Sequence, residues 1–116
     1  MNPIELKTRT KKFALRIIKL AGAIPKTTAG RAIASQIVRS GTSVAANYRA
    51  CCRARSTAAF IAKIGTVEEE SDETALWLEL LIESGIMPVK KLSSLLEEAN
   101  TLTAIMAASR KTASGK

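Results

Sequence analysis

Apolar residues recur at steps of three and four along nearly the whole chain, interrupted by breakers only at Pro25, Gly30, Gly85 and Pro88. This is the period of one helix face, not the alternation of a half-buried strand. Proline lacks the N–H a helix interior needs, so Gly22 and Pro25 end a first helix that the spacing predicts over about Ile4–Ala21. Leu6, Phe13, Ile17 and Leu20 form its apolar stripe, and Arg9, Lys12, Arg16 and Lys19 form a second, basic stripe.

A second helix is predicted from Thr28–Gly30 to about Ala54. Ile33, Ile37, Val44, Tyr48 and Cys51 or Cys52 lie on one face, with Gly41 in the same line and Ala45, Ala46, Ala50 and Ala54 keeping the surrounding surface narrow. A mid-helix glycine costs about 1 kcal/mol of propensity relative to alanine; close packing and a local kink both account for Gly41. The next join has neither glycine nor proline, so one continuous helix stays open, although Ser56 can cap a new one. The third helix then covers about Thr57–Ser84. Phe60, Ile64, Val67, Ser71, Ala75, Leu78 and Leu81 or Ile82 lie on its core side, and Ile61, Leu76, Trp77 and Leu80 form an apolar surplus beyond what a solvated helix needs. Gly85 suits a C-cap and Pro88 the first turn of a fourth helix, whose seam of Leu92, Leu95, Ala99, Leu102 and Met106 stops before a polar tail from about residue 110. Four helices with short connections make an all-α, antiparallel up-down-up-down four-helix bundle. A length of 116 residues, 47% of them hydrophobic, makes residues 1–116 one domain rather than a disordered basic segment.

Composition excludes several function classes. The chain has no histidine, the commonest metal ligand and neutral-pH base, so zinc-finger, zinc-deaminase and Ser-His-Asp readings fail together. Aromatics at 3% argue against a stacking platform for single-stranded nucleic acid. Adjacent Cys51 and Cys52 point about 100° apart on a helix, so a bridge between them would distort the backbone; packing is the leading reading, with redox or metal roles behind it. The first residues contain no signal-peptide pattern, and charges break every apolar run before the ~20 residues of a membrane span. The expectation is a cytoplasmic protein with no membrane contact, no cofactor and no metal.

The formal charge of +8 conceals a division. Residues 1–63 carry thirteen Lys and Arg against Glu5 alone, a net of +12; residues 64–109 carry Lys90 and Lys91 against nine carboxylates, a net of −7; Arg110, Lys111 and Lys116 add +3. Glu68, Glu69, Glu70, Asp72 and Glu73 cluster on the third helix, followed by Glu79 and Glu83. Like charges at three- and four-residue spacing repel by a few tenths of a kcal/mol per pair. Pairing with Arg39, Arg49, Arg53 or another subunit's cations relieves this; a solvated surface and capture of a divalent metal or a partner are the other readings. Arg9, Lys12, Arg16 and Lys19, with Arg39, Arg49, Arg53 and Arg55, are candidates for binding nucleic-acid phosphates or an acidic partner, because phosphate contact needs only positive charge and reach. Ser43 and Asn47, four residues apart, are candidates for a polar contact that fixes helix register, and with Glu68, Glu69, Asp72 and Glu79 they form the candidate ion-pair or interface set. No base stands ready to activate Ser40 or Ser43, and the expectation is a protein without enzymatic activity.

Phe13, Ile24-Pro25-Lys26, Gly30, Ser35-Gln36-Ile37-Val38-Arg39-Ser40, Ser43-Val44-Ala45-Ala46-Asn47, Phe60, Gly65, Glu68-Glu69 and Trp77-Leu78-Glu79-Leu80-Leu81 together resemble the four-helix-bundle proteins encoded in intervening sequences of bacterial 23S ribosomal RNA genes. The resemblance covers roughly residues 6–109 and is strongest over Arg39–Asn47. It departs after Asn47, where many members have a glycine-containing turn and this chain reads Tyr48-Arg49-Ala50-Cys51-Cys52-Arg53-Ala54-Arg55, as in a more basic branch with a longer second helix or a tighter turn. The resemblance implies a small bundle assembled as a ring-like homopentamer, with no assigned enzymatic activity or molecular function. The family is similar to accessory proteins of diversity-generating retroelements, pentameric barrels that engage a reverse transcriptase and nucleic acid. The paired charge fields, the small-residue second helix and the apolar surplus of the third make the leading expectation a non-enzymatic oligomeric scaffold or adaptor with affinity for DNA or RNA. The alternative is a purely protein-binding module for an unidentified protein partner, its charges used in subunit pairing.

Overall fold

A computed structural model describes residues 1–115; Lys116 of the expected tail lies outside the described residues. Four helices follow in order: α1 (Pro3–Ala23), α2 (Thr28–Cys51), α3 (Thr57–Glu83) and α4 (Val89–Ala113). Each consecutive pair packs together, α1 also meets α4 lightly, and neither α1 with α3 nor α2 with α4 makes contact. This is the up-down-up-down bundle, an elongated body of 44 × 21 × 21 Å.

Local chemistry sets the helix ends. Asn2 accepts a bond from the Glu5 backbone N–H at 2.9 Å and donates to the Glu5 carboxylate at 2.7 Å, a reciprocal cap. Thr27 caps α2 through the Gly30 N–H, and Ser56 caps α3 through the Ala59 N–H, both at 3.0 Å. The Ser56 cap resolves the open join: α2 stops at Cys51, three residues before the expected Ala54, and Cys52–Ser56 link it to a separate α3. Gly85 follows α3 at φ 77°, a left-handed turn that a Cβ would strain. Pro88 is the N-cap of α4 rather than a residue of its first turn. The fourth helix also runs on through Ala113, because Arg110 is tied back to α3 by Glu68; the polar tail expected from about 110 begins beyond it.

The core is continuous along the axis. Phe13, Ile17, Ile37, Val44, Ile64, Val67, Leu78, Leu81, Leu92, Leu102 and Met106 are all fully enclosed, each side chain contributing roughly 1.5–3 kcal/mol by leaving water. Gly41 is a close-approach position: a Cβ there would lie 2.8 Å from the Ile17 methyl on α1. The unbroken α2 selects packing over a kink. Two hydroxyl pairs cross the core, Thr74 donating to Ser40 at 2.8 Å between α3 and α2, and Thr103 to Ser71 at 3.0 Å between α4 and α3. Among the described residues, every buried side-chain nitrogen and oxygen has a hydrogen-bond partner, and no helix is long and apolar enough to cross a membrane.

Candidate interaction surfaces

The basic stripe of α1 divides by residue type. Arg9 reaches across to α4 and grips Glu98 with two bonds of 2.7 Å. Those bonds raise its guanidinium pKa above the ordinary value, partial burial opposing. Arg16 donates to the Ser94 hydroxyl at 2.9 Å. Lys12 and Lys19 are exposed and form no ion pair among the described residues. A planar, multi-donor arginine suits a bidentate carboxylate contact, whereas a lysine at the same reach remains hydrated.

The cations of α2 divide in the same way. Arg39 meets Glu70 at 3.0 Å and Glu73 more closely, while its Nε donates to Gln36. The bond to Glu73, followed by that to Glu70, raises its pKa. Its charge is therefore spent inside the molecule, unlike the free cation of the candidate binding set. Arg49, Arg53 and Arg55 are exposed and have no carboxylate partner among the described residues. Arg49 joins Lys7 and Lys11 along a shallow α1–α2 groove floored by Ala14, Ala45 and Ala46. Among the described residues, no carboxylate lines it.

The acidic cluster supplies fewer internal pairs than its length allows. Glu68 binds Arg110 at 2.7 Å, and the bond raises the pKa of that arginine; Glu70 and Glu73 take Arg39. Glu69, Asp72 and Glu79 of the interface set, together with Glu83, have no ion pair among the described residues. Sequence spacing placed these residues on one helix but could not show which would meet a cation, because the partners come from other helices, Arg39 from α2 and Arg110 from the distant α4.

Asn47 donates to the Ser43 hydroxyl at 2.7 Å and to the Ser43 carbonyl at 3.0 Å, a bond within α2 rather than across helices. Cys51 is buried and Cys52 exposed, both as free thiols. Burial, with Cys52 beside it, pushes the Cys51 thiol up to about 11, and burial also holds the Tyr48 phenol well above its usual value. A thiol shifted in this direction is a poor nucleophile. Among the described residues, no group of three or more Cys, Asp and Glu side chains is arranged to hold a metal ion.

Large apolar side chains also stand on two outer faces. Leu15 and Ile18 on α1 are 60% and 49% exposed, and Leu76 and Leu80 on α3 are 46% and 39% exposed. The pair on α3 belongs to the apolar surplus visible in the sequence. The pair on α1 was missed, although its three-residue spacing on the side away from Phe13 and Ile17 is the signal that reveals it.

Fold and surfaces together define an all-α four-helix bundle with shallow grooves and charged outer faces. The model of the 23S rRNA-intervening sequence protein family matches residues 3–108, and the chain belongs to that family. Among solved structures it is similar to a protein of unknown function from the S23 ribosomal protein family of Bacteroides thetaiotaomicron VPI-5482. The two are 31% identical with a TM-score of 0.87, over 96% of this chain and 99% of that one. A comparison with curated proteins gives no match.

Proposed function

We propose that this protein is a non-enzymatic oligomeric scaffold or adaptor whose basic α1–α2 side contacts nucleic-acid phosphates without reading sequence. The observation that carries the scaffold reading is the pair of apolar patches left on the surface after the core is complete. Leu15 and Ile18, with Leu76 and Leu80, still leave 39–60% of their surface to water in the monomer, and clustered exposed apolar residues mark interaction sites. Light scattering at micromolar concentration is expected to give a mass several times that of the 12.4 kDa chain, with a closed pentamer the arrangement favoured by the family resemblance; a strictly monomeric species would sink the reading.

The phosphate contact is supported by Lys7, Arg49 and Arg53, which make no ion pair among the described residues. Duplex DNA and structured RNA titrated at ~50 and ~200 mM salt are expected to bind, and to weaken steeply between the two because bound cations release counterions. Absence of binding at the lower salt rejects this part alone. The internal spending of Arg9, Arg39 and Arg110 favours the second reading, a purely protein-binding module. Recovery of one stoichiometric protein partner after nuclease treatment, with no nucleic-acid affinity, would decide for it.

A further inference from the structure

We infer that copies of this chain join head to tail, the outer face of α1 on one copy seating against the outer face of α3 on the next. The inference rests on the oligomeric reading above and assigns its interface. Leu15 stands between Lys11, Lys12 and Lys19 at three- and four-residue steps, so its patch is apolar with a basic rim. Leu76 stands between Asp72, Glu73 and Glu79 at the same steps, and Glu83 follows Leu80 by three, so the second patch is apolar with an acidic rim. Glu73 is occupied by Arg39; Asp72, Glu79, Glu83 and the three lysines make no ion pair among the described residues. Each rim repels a copy of itself and attracts the other. Like charges facing each other across an interface suppress pairing, while opposite ones set register and steer encounter. Two copies related by a two-fold axis would have to put lysines on lysines or carboxylates on carboxylates.

Position in the bundle adds a second, independent argument. The helices α1 and α3 make no contact with each other, so they occupy opposite corners of the bundle and their outer faces look away from one another. One copy can therefore hold two neighbours at once. Both helices also run in the same direction, and both patches lie close to the C-terminal ends. Leu15 and Ile18 precede Ala23 by eight and five residues, and Leu76 and Leu80 precede Glu83 by seven and three. At about 1.5 Å per residue the two patches lie level within roughly one helical turn. Copies standing side by side can meet without sliding along the bundle axis, which favours a closed ring over a rising filament.

The full-length chain tests this by complementation. Leu15→Glu with Ile18→Glu disables the α1 face, and Leu76→Glu with Leu80→Glu disables the α3 face, so the two disabled faces repel each other. All four positions are exposed, and unchanged circular dichroism checks the fold of each variant. Each variant alone is expected to scatter as a monomer. Their equimolar mixture is expected to give a discrete species of twice the 12.4 kDa chain mass, because one intact α3 face then meets one intact α1 face and growth stops. A second set keeps the full assembly in play: Lys11→Glu, Lys12→Glu and Lys19→Glu together should dissociate the assembly, and adding Asp72→Lys, Glu79→Lys and Glu83→Lys to the same chain should restore it. An assembling wild type whose size survives in either apolar variant overturns this interface and leaves the oligomeric reading standing. Failure of both the mixture and the restored chain to associate does the same. A monomeric wild type overturns the two together.

Discussion

At the scale of single residues, two of the helical glycines, Gly41 and Gly65, make a matched pair. A methyl group at Gly41 would collide with Ile17, a β-branched side chain whose Cβ is itself 3.0 Å away and which cannot swing aside. Gly41→Ala is expected to lower stability by roughly 1–3 kcal/mol through overpacking. At Gly65 the nearest atom is the Arg110 Cδ at 3.7 Å, an ordinary contact. Gly65→Ala should therefore raise stability by up to about 1 kcal/mol, the helix-propensity difference. Urea unfolding of both variants checks the opposite signs. The adjacent thiols also separate: at pH 8 iodoacetamide should label Cys52 rapidly and Cys51 only on unfolding, read by peptide mass spectrometry. The Cys51 thiol ionises at about 9 when unfolded and about 11 when folded. The unfolded chain therefore holds fewer protons between those values, and this residue's contribution makes stability fall as pH rises through that window. Cys51→Ala should flatten that part of the curve.

Among the helices, α1 and α4 have unequal flanks, each packed along one neighbour and meeting the other lightly. The first of them packs along α2 and meets α4 lightly, with the Arg9–Glu98 fork and the Arg16–Ser94 bond crossing between them. A double-mutant cycle on Arg9→Ala and Glu98→Ala should return a coupling of about 0.5–1 kcal/mol, the upper part of the range for partly exposed pairs because both bonds are short and parallel. Helix existence and type were legible from period alone, since Leu6–Phe13–Ile17 and Leu92–Leu95–Ala99–Leu102–Met106 hold one face without interruption. The ends were less so. The stop of α2 at Cys51 is marked by no glycine or proline and depends on Ser56 opening the next helix, and the extension of α4 to Ala113 includes Arg110, which is held from 42 residues away. A tertiary ion pair has no local signature, so a reading by composition places the tail too early.

For the whole molecule, the charge division visible in the sequence became a spatial one. Which cations remain free was not legible, because an arginine that folds onto a carboxylate and one that faces water look alike in a sequence: Arg39 and Arg49 lie ten residues apart on the same helix with opposite outcomes. Their contributions to nucleic-acid binding should differ accordingly. Arg49→Ala or Arg53→Ala is expected to reduce the slope of log affinity against log salt by roughly one each, while Arg39→Ala should leave it nearly unchanged, as fluorescence anisotropy on duplex DNA would show. The one-sided attachment of α1 has a dynamic consequence. A helix secured along a single neighbour is the natural first unit to lift away in a partial opening, and its amides should exchange with deuterium earlier than those of α3, which is clasped from two sides. The same helix carries the Leu15–Ile18 face, so a docked neighbour would supply its missing flank. Exchange measured on the assembled chain and on the Leu15→Glu, Ile18→Glu variant should differ most in α1, making assembly the last step in the consolidation of the fold.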